Sequence, residues 1–234
     1  SIQDITANLN PHDYDGDYYY QWDAQEQYWK GYEWTKNLGV GVGQPTLSSQ
    51  LAGNYAQSNT DPNNRWYHEG SGLHFNATQS CANLPNVNEM TWYAAKGDPR
   101  WDGDELWTTM GHLYKGGMWF KKKAVLQVEG HYDTEKSVDG TDWRINNGGN
   151  SWSVSQTLPS TADANKYFYL PALGDYDNGR QKYVGSHDAP YGMYWSSSAN
   201  PEWSGLAYDL SFDSGNVNVY GGNRLCGFRV GGFE

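Results

Sequence analysis

Residues 206–230, "LAYDLSFDSGNVNVYGGNRLCGFRV", constrain the fold more than any other stretch of the chain. Leu210 and Phe212 alternate with Asp209, Ser211 and Asp213, and Val217 and Val219 alternate with Asn216, Asn218 and Tyr220. Side chains of a strand point to opposite faces at period two, so each set shares a face. "DSG" and "GGN" between the runs are hairpin-turn signals. The expectation is a three-stranded antiparallel meander over 206–212, 216–220 and 225–230, with its apolar face buried. Its short polar face, with Trp203 in the loop before it, is expected to meet water as a flat display surface.

The rest of the chain reads mostly as strand and loop. Twenty-eight glycines, with recurrent Asn-Gly, Gly-Gly and Asp-Gly pairs, mark turns. The clearest helix runs from Asn86 to about Lys96, "NVNEMTWYAAK". Asn86 can cap it, Glu89 completes a capping-box pair, and Gly97 followed by Pro99 supplies the stop. A second, weaker helix is expected just before it, through "NATQSCA". No internal repeat or low-complexity linker marks a boundary. Residues 1–234 therefore read as a single domain, with 36–65 and 134–163 as loop-rich insertions.

Twelve Trp, 19 Tyr and 6 Phe make up 16% of the chain, while Leu, Ile and Val are sparse. Trp and Tyr bury large areas and keep a polar edge, a combination over-used in binding surfaces. Most of them are assigned here to an aromatic-rich core and a minority to binding. The net charge is −11, and "KKK" at 121–123 is the sole basic run. Such a field repels a phosphate backbone and argues against nucleic acid. No apolar stretch approaches the ~20 residues of a membrane helix. The chain starts at Ser1 rather than Met, which is compatible with a removed export signal.

Catalytic constellations are thin. His12, His68, His74, His112, His131 and His187 show no metal-ligand spacing. There is no GxSxG elbow, and "GVGVGQ" (39–44) lacks the following helix that a phosphate loop requires. A glycosidase carboxylate pair stays open, because its separation is not readable from sequence. "DYDGDY" (13–18) starts like a calcium loop with Asp13, Asp15 and Asp17, but its sixth and twelfth positions are Tyr18 and Ala24 rather than Gly and Glu. It reads as a solvated turn, as does "WDGDEL" (101–106). The expectation is no enzyme, no cofactor and no metal. Cys81 and Cys226 either form one long-range disulfide or remain thiols, since sequence distance does not give the Cα separation.

A series of motifs then occurs in order: "CANLPNVNEMTWYAAKGDPRWDG" (81–103), "GGMWFKKK" (116–123), "KYFYLPALGDYDNG" (166–179), "YWSSS" (194–198) and "AYDLSF…NVNVY…CGFRV" (207–230). The series resembles bacterial and phage surface proteins with a C-type lectin-like fold. It is most similar to the variable proteins of diversity-generating retroelements and their non-variable relatives. The resemblance covers about residues 75–234, with "YYYQWDAQ" (18–25) belonging to it. It implies an α+β fold with two helices, a small twisted antiparallel sheet and long loop insertions. It also implies ligand binding through a variable-type region at about 194–230.

By that resemblance, Asp209, Ser211, Asp213, Tyr220, Leu225 and Cys226 fall where the retroelement-diversified members vary. Trp195, Ala207, Leu210, Phe212, Gly227, Phe228 and Val230 match the constant scaffold. "NPEW" (200–203) is not followed by a WND motif, so calcium-dependent sugar binding of the animal lectin kind is not implied. The closely spaced C-terminal cysteine pair of formylglycine-generating enzymes, which share the fold, is also missing. Trp195 is expected in the core at the end of a strand begun by "GMYW", with "SSSANPEW" as the loop leading to the display surface. The expected function is a non-enzymatic adhesin or receptor-recognition module, extracellular or on a cell or virion surface. Trp203, Asp209, Ser211, Asp213, Asn218, Tyr220, Leu225 and Cys226 are expected to contact a protein or glycan ligand on a target cell. The competing expectation is a carbohydrate-binding or carbohydrate-active surface protein.

Overall fold

The computed structural model describes residues 19, 20, 22, 81, 83–109, 112–177, 180–182, 190–203, 206–223 and 226–234. The 36–65 stretch, the acidic turn at 13–18 and, apart from Cys81, the weaker helix expected through "NATQSCA" lie outside the described residues. The elements in chain order are α1 (Val87–Lys96), β1 (Arg100–Thr109), β2 (His112–Lys121), α2 (Lys123–Val128) and β3 (Asn150–Ser153). A 3-10 turn at Ala164–Lys166 leads to β4 (Tyr167–Pro171), β5 (Asp175–Asp177), β6 (Arg180–Lys182), β7 (Gly192–Ala199), β8 (Leu206–Phe212) and β9 (Asn216–Asn223). The protein is thus mixed α plus β; among the described residues there are two helices and two larger antiparallel sheets, ordered β1-β2-β4 and β3-β9-β8-β7, beside a β5-β6 ribbon.

Helix α1 starts where its capping chemistry lies. Asn86 Oδ1 accepts the Glu89 N–H (3.0 Å), and Glu89 Oε2 accepts the Asn86 N–H (2.6 Å). The pair satisfies donors that a helix start leaves without partners. Val87, Met90, Tyr93 and Ala94 recur at helical spacing and are buried. The stop falls at Gly97, as expected, with its N–H bonded to the Tyr93 carbonyl (2.9 Å). Gly97 has an ordinary φ of −71°, and Asp98 takes the left-handed conformation at φ 48°. The Asp98 carboxylate accepts hydrogen bonds from Arg100 (2.8 Å) and the Tyr167 hydroxyl (2.6 Å). Those bonds hold a backbone conformation that costs a non-glycine residue about 1–3 kcal/mol.

The helix also buries Asn88 and Thr91, which apolar periodicity does not explain. Asn88 accepts the Trp143 N–H (2.9 Å) and donates to Asp142 (2.9 Å), and Thr91 Oγ1 accepts the Val138 N–H (3.0 Å). Residues 134–163, expected as an insertion, are therefore tied to α1 through its polar positions. The loop is internally braced at Asp139. Burial alone would raise that carboxyl, but hydrogen bonds from Ser137, Thr141 and Trp143 hold it at about 2.

Strands β8 and β9 form as expected around the "DSG" turn, but the third strand of the meander does not. "GGN" continues β9 rather than turning it, with Gly221 and Gly222 opposite Tyr208 and Ala207. The outer neighbour of β9 is β3. Residues 226–230 cross instead to the other side of the sheet, where Phe228 bridges Tyr20 and Arg229 bridges Tyr194. Strand β7 is longer than "GMYW" and runs to Ala199, so Ser196, Ser197 and Ser198 are buried strand residues rather than loop.

The main core lies between α1 and the two larger sheets and is dominated by aromatic rings. Phe120 stacks on Phe168 (6.0 Å between centroids) and meets Phe212 edge-on (6.1 Å), while Tyr194 stacks on Phe212 (6.1 Å). Gly192 faces Phe212 across the β7–β8 pair, and any side chain there would overlap the ring. The basic run is consumed internally. Lys121 pairs with Glu129 (2.8 Å), Lys122 pairs with Glu234 (3.2 Å), and Lys123 lies over the Tyr132 ring (5.1 Å). Removing the central ring by Phe212→Ala is expected to cost about 3–5 kcal/mol in denaturant unfolding. Asn86→Ala is expected to cost about 0.5–2 kcal/mol, and an unchanged midpoint would mean that the cap contributes nothing.

Candidate functional site

Antiparallel partners share a face, so the β-register sorts the side chains of the four-stranded sheet. Leu210 pairs with Val219 and Phe212 with Val217, all turned into the main core. Asp209 pairs with Tyr220 and Trp195, and Ser211 with Asn218 and Met193, on the opposite face. The alternation expected for 206–220 is therefore present in register.

Exposure on that opposite face departs from the expectation. A second apolar cluster, with Trp22, Cys81, Trp195, Ala207, Phe228 and Val230 at its centre, covers part of it. Trp195 and Phe228 are only 4.1 Å apart between centroids. The Trp195 indole donates to the Tyr20 carbonyl (2.7 Å), and the Trp22 indole donates to the Ser196 carbonyl (3.0 Å). Asp209 is consequently only 6% exposed. A side chain on Gly222 would overlap both the Asp209 carboxylate and the Phe228 ring. Burial pushes the Asp209 carboxyl well above the ordinary carboxylate range, with the Ser211 hydrogen bond opposing that shift.

The remaining expected contacts separate in the same way. Asp213 is occupied by the β8–β9 turn, where its Oδ1 accepts the N–H groups of Gly215 (2.7 Å) and Asn216 (2.8 Å). Cys226 is half-buried against the second cluster, and Leu225 lies outside the described residues. Ser211 and Asn218 are half-buried. Tyr220 is 47% exposed and Trp203 is 60% exposed. Of the seven expected contacts among the described residues, these two aromatics are the most exposed.

Both aromatics are fixed from below by groups that the sequence did not single out. Tyr220 lies over Gly149, which has no side chain to displace it. Trp203 follows a turn in which Asn200 Oδ1 accepts the N–H groups of Glu202 and Trp203 (3.0 Å each). Asn147 joins the two loops. Its Oδ1 accepts from Asn200 Nδ2 (3.0 Å) and the Tyr208 hydroxyl (2.7 Å), and its Nδ2 donates to Glu202 (3.2 Å). Tyr208 also accepts the Gly148 N–H (2.9 Å), and burial raises its hydroxyl to about 12, so it stays a neutral donor at physiological pH. "NNGGN" (146–150) is a legible turn signal, but its pairing with Asn200 is not.

The acidic stretch at 101–106 is a structural bulge rather than a solvated turn. Asp102 is buried, its Oδ1 accepts the Asp104 and Glu105 N–H groups (3.0 Å each), and its Oδ2 accepts the Trp119 indole N–H (3.0 Å). Among the described residues no three His, Cys, Asp or Glu side chains gather as a metal site, and no helix is long and apolar enough to cross a membrane. Comparison with family models, curated proteins and solved structures found no match to the chain.

The state of Asp209 is directly measurable. Its folded pKa lies above its unfolded value of about 3.9, so its contribution is fully present below that pH and is lost as pH rises through the folded value. The melting temperature of the wild type is expected to fall across that window, whereas Asp209→Asn, neutral throughout, loses this component. Parallel pH profiles for the two proteins would show that the carboxyl is not buried in its uncharged form.

Proposed function

We propose that the chain is a non-enzymatic ligand-binding module, an adhesin or receptor-recognition domain of the C-type lectin-like kind, acting outside the cell or on a cell or virion surface. The observation that carries this reading is the exposure of Trp203 and Tyr220 on a braced rim. Two large aromatic side chains are left open to water while hydrogen bonds and a glycine seat fix the backbone beneath them. Exposed aromatics on a rigid base suit recognition, because they supply contact area while ordering few rotatable bonds. Ser211 and Asn218, beside Tyr220 on the same face, supply short polar groups around these anchors.

Asp209 and Asp213 drop out of the contact surface in this reading. One belongs to the floor of the sheet and the other to a turn, so a diversifiable surface would comprise Trp203, Ser211, Asn218 and Tyr220. The partner class is a protein on a target cell. A glycan is the alternative, favoured by the Asn147, Asn200 and Glu202 side chains in the loops that brace the two exposed aromatics. Reading the encoding locus for a reverse transcriptase and a near-copy of the 3′ end tests the retroelement relationship.

The binding test uses a labelled chain against a glycan array and against immobilised cell-surface proteins. Trp203→Ala and Tyr220→Ala are each expected to leave stability within about 0.5 kcal/mol. Each should weaken binding to the strongest hit by about 2 kcal/mol or more, roughly 30-fold. A hit bound equally well by both variants uses another surface and defeats the assignment. Turnover of an arrayed glycan would defeat the non-enzymatic reading.

A further inference from the structure

We propose that Cys81 and Cys226 are the two halves of an oxidisable pair, closing into a disulfide that straps the far side of the four-stranded sheet. The chain has two cysteines, 145 positions apart, and both pack into the same small apolar cluster around Trp195 and Phe228. The structure carries both as thiols. Cys81 is fully buried, whereas Cys226 is half-buried and reachable from solvent.

Neither cysteine sits in a ladder that would resist the approach of the two sulfurs. Cys226 opens the 226–230 segment, whose backbone is bonded to Tyr20 at Phe228 and to Met193 and Trp195 at Arg229, so that Cys226 lies just before the bridged residues. Cys81 precedes the turn in which the Leu84 N–H bonds the Cys81 carbonyl (3.1 Å). A disulfide prefers Cα atoms roughly 5.5–6 Å apart, and the shared packing of both cysteines against the Trp195–Phe228 cluster is what places the two thiols on the same side of the sheet.

The chemistry is thiol–disulfide exchange with a low-molecular-weight disulfide such as oxidised glutathione. The Cys226 thiolate attacks one sulfur of that disulfide and expels a glutathione thiolate. The Cys81 thiolate then attacks the Cys226 sulfur and expels the second. Two protein S–H bonds are lost, one S–S bond forms, and the two electrons reside in two molecules of reduced glutathione. The bond closes a loop of more than a hundred residues and stabilises by restricting the unfolded chain.

The full chain is equilibrated with oxidised glutathione, alkylated, digested without reduction and mapped by mass spectrometry. The expected product is a cross-linked peptide pair containing Cys81 and Cys226. A melting temperature about 5–10 °C above that of the dithiothreitol-treated protein is also expected. Cys226→Ser should show no such difference between oxidised and reduced samples. Any of three results overturns the proposal: both residues recovered as alkylated thiols, glutathione adducts without a cross-link, or disulfide-linked dimers. Because peptide mapping of the wild type needs no variant, a Cys226→Ser protein that failed to fold would leave the decision intact.

Discussion

Strand β7 is covered on both faces, and most of the described structure is organised around that constraint. Its alternation sends Tyr194 into the main core beside Phe212 and Trp195 into the second cluster against Phe228. The same strand then holds the start of α1. Ser198 Oγ accepts the Val87 N–H (2.9 Å), the Ser197 N–H donates to the Pro85 carbonyl (3.0 Å), and the Ser196 hydroxyl donates to the Tyr208 carbonyl (2.6 Å). Serine suits positions 196 and 198 because each of those hydroxyls satisfies a buried main-chain group that otherwise costs about 1–3 kcal/mol. A strand of larger apolar residues would fill the same space but leave those groups unpaired.

The rim carrying Trp203 and Tyr220 inherits its rigidity from this arrangement. Tyr208 projects from the β8 core face, packs near Trp143 and reaches the Asn147 side chain and the Gly148 backbone with its hydroxyl. Trp143 is tied in turn to Asn88 of α1. The helix, the 134–149 loop, the sheet and the rim are thus joined by hydrogen bonds together with the Trp143–Tyr208 ring contact. Networks of this kind hold a surface in one conformation when every member is satisfied. The exposed aromatics rest on that base without belonging to it, so they can be exchanged with little effect on folding.

Wherever the interaction was local, the sequence was informative. Asn86 and Glu89 are three residues apart and their box formed. The Asp213–Gly215 turn formed for the same reason, and the period-two sorting of Asp209, Leu210, Ser211 and Phe212 is present in the sheet. Errors arose where a short-range signal competed with a distant partner. "GGN" has turn composition, yet its glycines allow β9 to continue beside Asp209 and Phe228. The serines of 196–198 look like loop residues, yet they lie in strand, where the Ser196 and Ser198 hydroxyls bond sheet and helix backbone. Gly97 does end the helix as its composition indicates, while the left-handed conformation falls one residue later, on Asp98, with Arg100 and Tyr167 as partners.

The candidate surface divides along the same line. Sequence alone determined which residues share a face, because alternation is a property of the extended backbone, and it singled out Trp203 and Tyr220 as aromatics beyond the apolar face. Only the tertiary structure decided that Asp209 is buried and its carboxyl raised. The cluster on that face joins Tyr20 and Trp22 to Phe228, more than 200 positions away along the chain. Tertiary structure also decided that Asn147 braces Asn200 across 53 positions. Hydrophobic periodicity carries the direction in which a side chain points. What waits at the end of that direction depends on chain segments whose approach no local pattern encodes.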